Sequence, residues 1–71
     1  MTDGESGYHV PDSIIEWFAR RGFSLAISQS DGAFWADLLD AHGHVVAPRY
    51  GRGAAPDAAA ERAMQRYLEE Q

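Results

Sequence analysis

Apolar and polar positions divide the chain into two helical segments that flank three extended ones. Apolar residues recur at helical spacing over residues 11–21 and again over 56–68. Between them, residues 23–28 and 33–39 alternate apolar with polar side chains, as strands do when one face is buried. Residues 44–50 complete the set as a third strand. The pattern therefore predicts the order helix, strand, strand, strand, helix.

Local signals at the ends of these segments support the assignment. Ser13, followed three residues later by Glu16, predicts a capping box at the start of the first helix. Gly22 is predicted to end that helix, because glycine readily adopts the left-handed conformation found at helix termini. Asp31 and Gly32 predict a tight hairpin turn between the first two strands.

These elements predict a two-layer α+β domain of the αβββα type. Its three strands form an antiparallel meander, and both helices pack on one face of the sheet. Pro48 places the third strand at an edge, because proline donates no backbone hydrogen bond. Residues 1–10 are predicted to be a flexible tail and residues 11–71 the single domain. The predicted core comprises Trp17, Phe18, Leu25, Phe34, Leu38, Val46, Ala63, Met64 and Tyr67.

Strand alternation leaves the second face of the sheet without a covering layer. If Phe34 faces the helices, Trp35 and Leu39 must face the other way, and exposed aromatic side chains with apolar neighbours often mark interfaces. The predicted interface consists of two apolar anchors and two small neighbours, namely Trp35, Leu39, Ser24 and Ala26. The alternative is that Tyr8 or Val10 from the tail covers Trp35.

Composition narrows the classes of function. The 71 residues carry 11 acidic and 6 basic side chains, for a net charge of −5, and all the basic ones are arginine. An acidic chain repels nucleic acids and anionic membranes at long range, which argues against both as partners. The chain has no cysteine, no apolar run of membrane-spanning length and no signal-peptide pattern, so a cytoplasmic location is expected. Frequent arginine, alanine and glycine favour a bacterial source with GC-rich codons.

The stretch DAHGHVVAPRYGRGAAPDAAAERA over residues 40–63 resembles the third strand, glycine-containing loop and alanine-rich second helix of double-stranded-RNA-binding domains. The similarity in element order extends over residues 11–68 and implies that family's αβββα fold. In the family, lysines at the start of the second helix bind RNA phosphates. The matching positions here are uncharged or acidic, namely Pro56, Asp57, Ala58 and Glu61. The resemblance therefore implies the fold without the RNA-binding residues.

A weaker resemblance links YGRGAAPDAA, residues 50–59, to the HicB-type antitoxin domain, in which a strand meander leads into a helix through a glycine-containing segment. That family usually begins with a strand, whereas this chain places the helix of residues 11–21 first.

No catalytic or metal-binding constellation is predicted. His42 and His44 lie on either side of Gly43 in a turn, but structural metal sites need about four ligands and no third is evident nearby. Asp37 and Asp40 are candidates for an acid–base pair, yet exposed carboxylates seldom have the shifted pKa that catalysis requires. The chain is therefore expected to be non-catalytic and to use no cofactor.

A locally basic stretch, Arg49, Tyr50 and Arg52, precedes the second helix. Its backbone and guanidinium donors make it a candidate anion-binding loop, and Tyr50 is a candidate for stacking on a nucleic-acid base. The alternative is that the glycines beside these residues only allow the chain to turn into the helix.

Two hypotheses from different classes follow. The first is a small protein-interaction module of unknown process, with self-association through the open sheet face as one form of it. The second is a nucleic-acid-binding domain that uses Arg49 and Arg52 together with Arg20 and Arg21. The second hypothesis requires these four arginines to form one continuous stripe, so their arrangement separates the two.

Overall fold

The computed structural model describes residues 9–71; residues 1–8, which include Tyr8 and most of the predicted tail, lie outside the described part. The three strands form one antiparallel sheet in the order β1-β2-β3. Residues from both helices and the sheet share one core, so the predicted α+β fold class is confirmed. The elements, in chain order, are α1 (Asp12–Ala19), β1 (Ser24–Ser30), β2 (Ala33–Leu39), β3 (Val45–Gly53) and α2 (Pro56–Glu69). In the part of the chain described, neither helix has the length and apolar character needed to cross a membrane.

The start of helix α1 differs from the prediction. Asp12 is its first residue and Pro11 its N-cap, and no side chain caps the helix. The predicted capping box of Ser13 and Glu16 is wrong, because Ser13 already lies within the first turn and cannot serve as the N-cap.

The glycine-containing turns that follow α1 and join β1 to β2 form where the sequence predicted them. Gly22 has a φ of 84°, and the Phe23 N–H donates across it to the Phe18 carbonyl oxygen at 2.9 Å, which ends α1 in a Schellman motif. Asp31 and Gly32 have φ values of 55° and 74°, the left-handed pair that a type I′ hairpin requires. β1 and β2 therefore pair without a register shift.

The core between sheet and helices is rich in alanine. Ala36, Ala59, Ala60 and Ala63 are fully buried, and Phe18 is the largest side chain with no exposed surface. Of the predicted core, Phe18, Leu38 and Ala63 are buried. The other predicted core residues that pack against this cluster while partly exposed are Trp17, Leu25, Phe34, Met64 and Tyr67.

Strand β3 departs from the prediction in length and in register. It continues three residues beyond the predicted segment 44–50, so the predicted loop is largely strand. Leu38 pairs with Ala47 and the next residue of β2 pairs with Val45, which leaves Val46 between two regular pairs. The prediction of Val46 as a core residue is wrong: this irregularity turns it outward, and its side chain is 52% exposed.

Helix α2 packs directly on the backbone of β3. A Cβ atom at Gly51 would overlap the carbonyl oxygen of Ala59, and one at Gly53 would stand 2.6 Å from the Cβ of Ala58. The close approach of the helix therefore requires both glycines, which do more than allow the turn that the sequence suggested.

Candidate functional site

Neither helix packs on the second face of the sheet, which we call the open face. Residues that pair directly across an antiparallel sheet share a face. Trp35 of β2 pairs with Ser28 of β1 and with Arg52 of β3. These three residues therefore lie on the open face, where Trp35 is half-buried and its two neighbours are exposed.

The indole ring of Trp35 makes a hydrogen bond through its N–H group and cation–π contacts through its face. Its Nε1–H donates to the carbonyl oxygen of Ser30 at 3.1 Å. The guanidinium carbons of Arg49 and Arg52 lie 4.5 Å and 5.5 Å from its ring centroid, within the range of cation–π attraction. We call Trp35, Arg49 and Arg52 the arginine–tryptophan cluster. The hydrogen bond fixes the orientation of the ring, and the ring in turn gathers the two arginines.

A bulge in β3 brings Arg49 to this face. Between two regular pairs of β2 and β3, residues 48–50 stand opposite Asp37 alone. Arg49 adopts a φ of 50°, which is uncommon for a residue with a side chain, and its backbone N–H donates to Asp37 Oδ1 at 2.8 Å. Asp37, a candidate acid or base in the sequence, thus holds the backbone of the bulge.

The six arginines differ in whether a carboxylate forms an ion pair with the guanidinium group. Within residues 9–71, Arg20, Arg62 and Arg66 form ion pairs with Glu16 at 3.9 Å, Glu69 at 3.7 Å and Glu70 at 3.1 Å. Arg49 and Arg52 form no ion pair with any carboxylate of these residues, and neither does Arg21, whose guanidinium donates instead to the Trp17 carbonyl oxygen at 2.8 Å. The two guanidinium groups on the open face are therefore not neutralised by an ion pair with any carboxylate of residues 9–71.

The four arginines of the nucleic-acid hypothesis are not brought together. Arg20 and Arg21 follow helix α1, and the Arg21 guanidinium lies 3.6 Å from the Trp17 ring. Arg49 and Arg52 belong to β3, at the opposite edge of the sheet from β1 and on its other face. The two pairs of arginines form separate surfaces, and the stripe that the hypothesis needs is not formed.

Tyr50 lies on the covered face, beneath α2. Its side chain is 5% exposed, and its hydroxyl donates to Glu70 Oε1 at 2.7 Å. The Arg66 guanidinium carbon lies 4.6 Å from its ring centroid. The interpretation of Tyr50 as a stacking residue in an exposed loop is therefore wrong, because this position is a strand residue that faces the helix.

This contact changes the acidity of both partners. Burial, with the hydrogen bond to Glu70, raises the pKa of Tyr50 to about 12. Hydrogen bonds from the Tyr50 hydroxyl and then from Arg66 lower the pKa of the Glu70 carboxyl. Both effects link β3 to the end of α2, and neither group is presented to the open face.

The histidine turn is organised by one aspartate. Asp40 Oδ1 accepts the backbone N–H of His42 at 2.9 Å and that of His44 at 3.0 Å. The centroids of the two imidazole rings are 6.4 Å apart. Across the described residues 9–71, no three histidine, cysteine or acidic side chains lie close enough together to hold a metal ion. Asp40 and Asp37 each accept backbone N–H groups in different parts of β3 and its turn, so they do not form the acid–base pair that the sequence raised.

The predicted interface residues share the open face with the arginines. Leu39 pairs with Ser24, and Ala26 pairs with Asp37. Ser24 and Ala26 are exposed and Leu39 is half-buried. Val10, one of the two residues suggested to cover Trp35, packs against the core cluster, and Tyr8, the other, lies outside the described residues.

A groove of about 310 Å³ adjoins the cluster at the hairpin end of the sheet. Arg52 contributes to both the groove and the arginine–tryptophan cluster. The lining residues are small apart from this arginine: Gly32, Ala33, Arg52, Gly53 and Ala54. The sequence did not indicate this groove, because its residues come from the β1–β2 hairpin and from the end of β3 and, except for Arg52, carry no functional group.

Comparison of the chain with protein-family models, curated protein sequences and solved structures finds no match in any of the three. The resemblances to double-stranded-RNA-binding domains and to HicB-type antitoxins stay predictions. What the fold and site define is a two-layer αβββα domain with an open sheet face that carries the arginine–tryptophan cluster.

Proposed function

We propose that this chain is a non-catalytic protein-interaction domain that binds its partner through the open face of the sheet. The observation that carries the proposal is an indole ring fixed by a hydrogen bond, with two arginines over it, on a face that neither helix covers. Tryptophan and arginine are enriched among the residues that dominate interface energies. Leu39 and the exposed Val45, which pair with each other, continue the apolar surface along the face.

Self-association through this face is one form of the proposal. A small domain gains stability from a partner that covers its sheet, and a two-fold contact sets one patch against itself. Such a contact brings Arg49 and Arg52 of both copies to the same interface, and among the described strand residues of this face Asp37 alone carries an opposite charge. A different protein as partner avoids this repulsion and is the form we favour.

Nucleic-acid binding is the second candidate. The observation in its favour is the guanidinium–indole stack, since arginine and aromatic side chains stack on unpaired bases. The start of α2 gives it no support, because Pro56 and Asp57 stand there and Arg62 is paired with Glu69.

Site-specific photo-crosslinking tests the proposal. Benzoylphenylalanine is placed at Ser28, which is exposed beside Trp35, and in a matched control at Gln65, which is exposed on α2. In the organism that encodes the chain, we expect the Ser28 variant alone to form a defined protein adduct, identified by mass spectrometry. The adduct should be lost when Trp35→Ala is added. Equal adducts from both positions, or an adduct indifferent to Trp35→Ala, would contradict the proposal.

A further inference from the structure

We infer that the partner segment bound by the open face is acidic, and that Arg49 and Arg52 bind its carboxylates while Trp35 packs against an apolar side chain of the same segment. The inference rests on the proposed function and adds the chemistry of the partner. Three features of the structure carry it: the unpaired charge of the two arginines, the fixed geometry around them and the groove next to Arg52.

The first feature is that both arginines of the open face lack a carboxylate partner, whereas Arg20, Arg62 and Arg66 each have one. The whole chain has a net charge of −5, yet among residues 9–71 no carboxylate forms an ion pair with Arg49 or Arg52. Guanidinium groups present their donors in a planar fork that matches the two oxygens of a carboxylate. Two unpaired forks beside one indole therefore form a site for carboxylates next to an apolar group.

The second feature is that the site is organised before any ligand arrives. Asp37 accepts the Arg49 backbone N–H and holds this residue at its left-handed φ, an arrangement that costs conformational energy and is most often kept at functional positions. Trp35 is fixed by Ser30, and its ring restrains both arginines. Side chains already ordered lose little entropy on binding, so affinity is gained without further contacts.

The third feature is the groove at the hairpin end of the face. Arg52 lines it, and its other lining residues are glycine and alanine. Small side chains leave room for the main chain of a ligand to approach the sheet closely. An extended peptide lying over Trp35 can therefore continue past Arg52 into the groove, which a free anion would not use.

A protein segment explains these features better than a nucleic acid does. Two unpaired arginines neutralise about two phosphates, which gives weak, salt-sensitive binding to a long polyanion. The acidic surface elsewhere on the domain repels such a polymer, whereas a short segment with a few carboxylates is confined to the basic cluster.

Binding of a designed peptide tests the inference. The probe is a short peptide that alternates glutamate with leucine, and its control is the same peptide with glutamine in place of glutamate. A third arm uses oligothymidylate of similar length. The readout is the NMR signal of the Trp35 Nε1–H, which is distinguished from that of Trp17 by a Trp35→Phe variant. We expect the glutamate peptide to shift this signal, and the shift to weaken as salt is raised.

Variants locate the effect on the cluster. Arg49→Gln with Arg52→Gln should weaken binding of the glutamate peptide by about tenfold or more, because charge-assisted hydrogen bonds are lost. The matched control, Arg20→Gln with Arg62→Gln, changes the net charge equally but alters arginines that already have partners, and it should leave binding within about twofold.

The outcomes separate this inference from the proposed function. If the glutamine peptide binds as well as the glutamate peptide, the inference is overturned, while the open face remains a protein-binding surface. Tighter binding of oligothymidylate overturns it in favour of a nucleic acid, and no shift with any glutamate peptide overturns it outright. The proposed function is tested separately, by whether crosslinking at Ser28 gives a face-specific protein adduct.

Discussion

The covered and open faces of β3 differ in how closely other groups approach them. On the covered face, α2 lies so near the strand that Gly51 and Gly53 have no room for a side chain. On the open face, the same strand presents Arg49 and Arg52, whose guanidinium groups rest on Trp35 with no carboxylate of residues 9–71 paired to them.

The difference separates the residues that stabilise the domain from those available for binding. The alanines of α2 pack directly on the glycine backbone of β3, and this contact has no room for added atoms because protein interiors are close-packed. Contacts among exposed charged and aromatic groups contribute little to folding. Changes to the covered face should therefore act on stability, and changes to the open face should act on partner binding.

The largest effect is expected from a charge placed on the covered face. Ala63 is fully buried, and Ala63→Glu puts an unpaired carboxylate there at a cost of about 3–5 kcal/mol, enough to unfold a domain of this size. Thermal melting followed by circular dichroism measures it, with Gln65→Glu on the exposed side of α2 as the control. A cooperative melt near that of the wild type for Ala63→Glu would show that the covered face is misassigned.

A smaller loss of stability is expected from a substitution at Gly51. In Gly51→Ala the new methyl group meets the Ala59 carbonyl oxygen and stands 2.7 Å from the Ala63 nitrogen, so the helix must move. We expect a loss of about 1–3 kcal/mol in the free energy of unfolding, as for other overpacked sites. Urea denaturation measures this loss, and Ser28→Ala on the open face should change stability by less than about 0.5 kcal/mol. Equal losses in the two variants would remove the contrast between the faces.

The third effect depends on pH and concerns Tyr50. Its folded pKa, about 12, lies above the ordinary value of 10.0. The protonated phenol therefore contributes its full stabilisation below pH 10, and this contribution is lost as pH rises through about 12. We expect the stability of the wild type to fall over that window. Tyr50→Phe should lack this part of the fall and should cost about 0.5–1.5 kcal/mol at neutral pH.

Glu70 makes the stability of the fold depend on pH in the acidic range, in the opposite direction to Tyr50. Its pKa is lowered in the fold by Tyr50 and Arg66, so its stabilisation is present above its ordinary pKa of 4.5 and is lost as pH falls through the lowered value. Glu70→Gln should flatten the acid limb of the stability profile. An unchanged acid limb would mean that the Tyr50–Glu70 contact does not form in solution.

The smallest effect is expected for double-stranded nucleic acids. Duplex RNA and duplex DNA should bind no better than about 10⁻⁴ M at physiological salt, because the start of α2 carries Pro56 and Asp57 in place of basic residues. A fluorescence-anisotropy titration measures this. Micromolar binding that is lost in Arg49→Ala with Arg52→Ala would make the open face a nucleic-acid surface and would contradict the preference for a protein partner.

The fold was predictable because its signals are local. Periodicity sets the five elements, and Gly22 and the Asp31–Gly32 pair determine their ends through their own backbone preferences. The close packing of α2 on β3 was less predictable, because Ala59 and Ala63 approach the strand so closely only where it has a glycine. That match involves residues on two elements, and no single segment reveals it.

The binding surface was only partly predictable. Alternation along β2 places Trp35 on the open face, and this alternation is visible in the sequence alone. The same rule puts residues 49 and 52 on opposite faces, since they are three apart. The bulge opposite Asp37 reverses this and brings Arg49 to Trp35. The bulge depends on a contact between Asp37 and Arg49, which are twelve residues apart in the chain, so no local pattern indicates it.

The two tryptophans give the domain a pair of intrinsic fluorophores in different surroundings. The Trp17 ring centroid lies 5.0 Å from that of Phe18 and 5.4 Å from that of Tyr67, so its emission reports whether α1 remains docked against α2. Trp35 contacts two guanidinium groups on the open face of the sheet, so its emission reports whether a ligand is bound to that face. Replacing either one with phenylalanine leaves a protein with one tryptophan, so parallel stopped-flow experiments on the two variants time the docking of the helices and the occupation of the sheet separately.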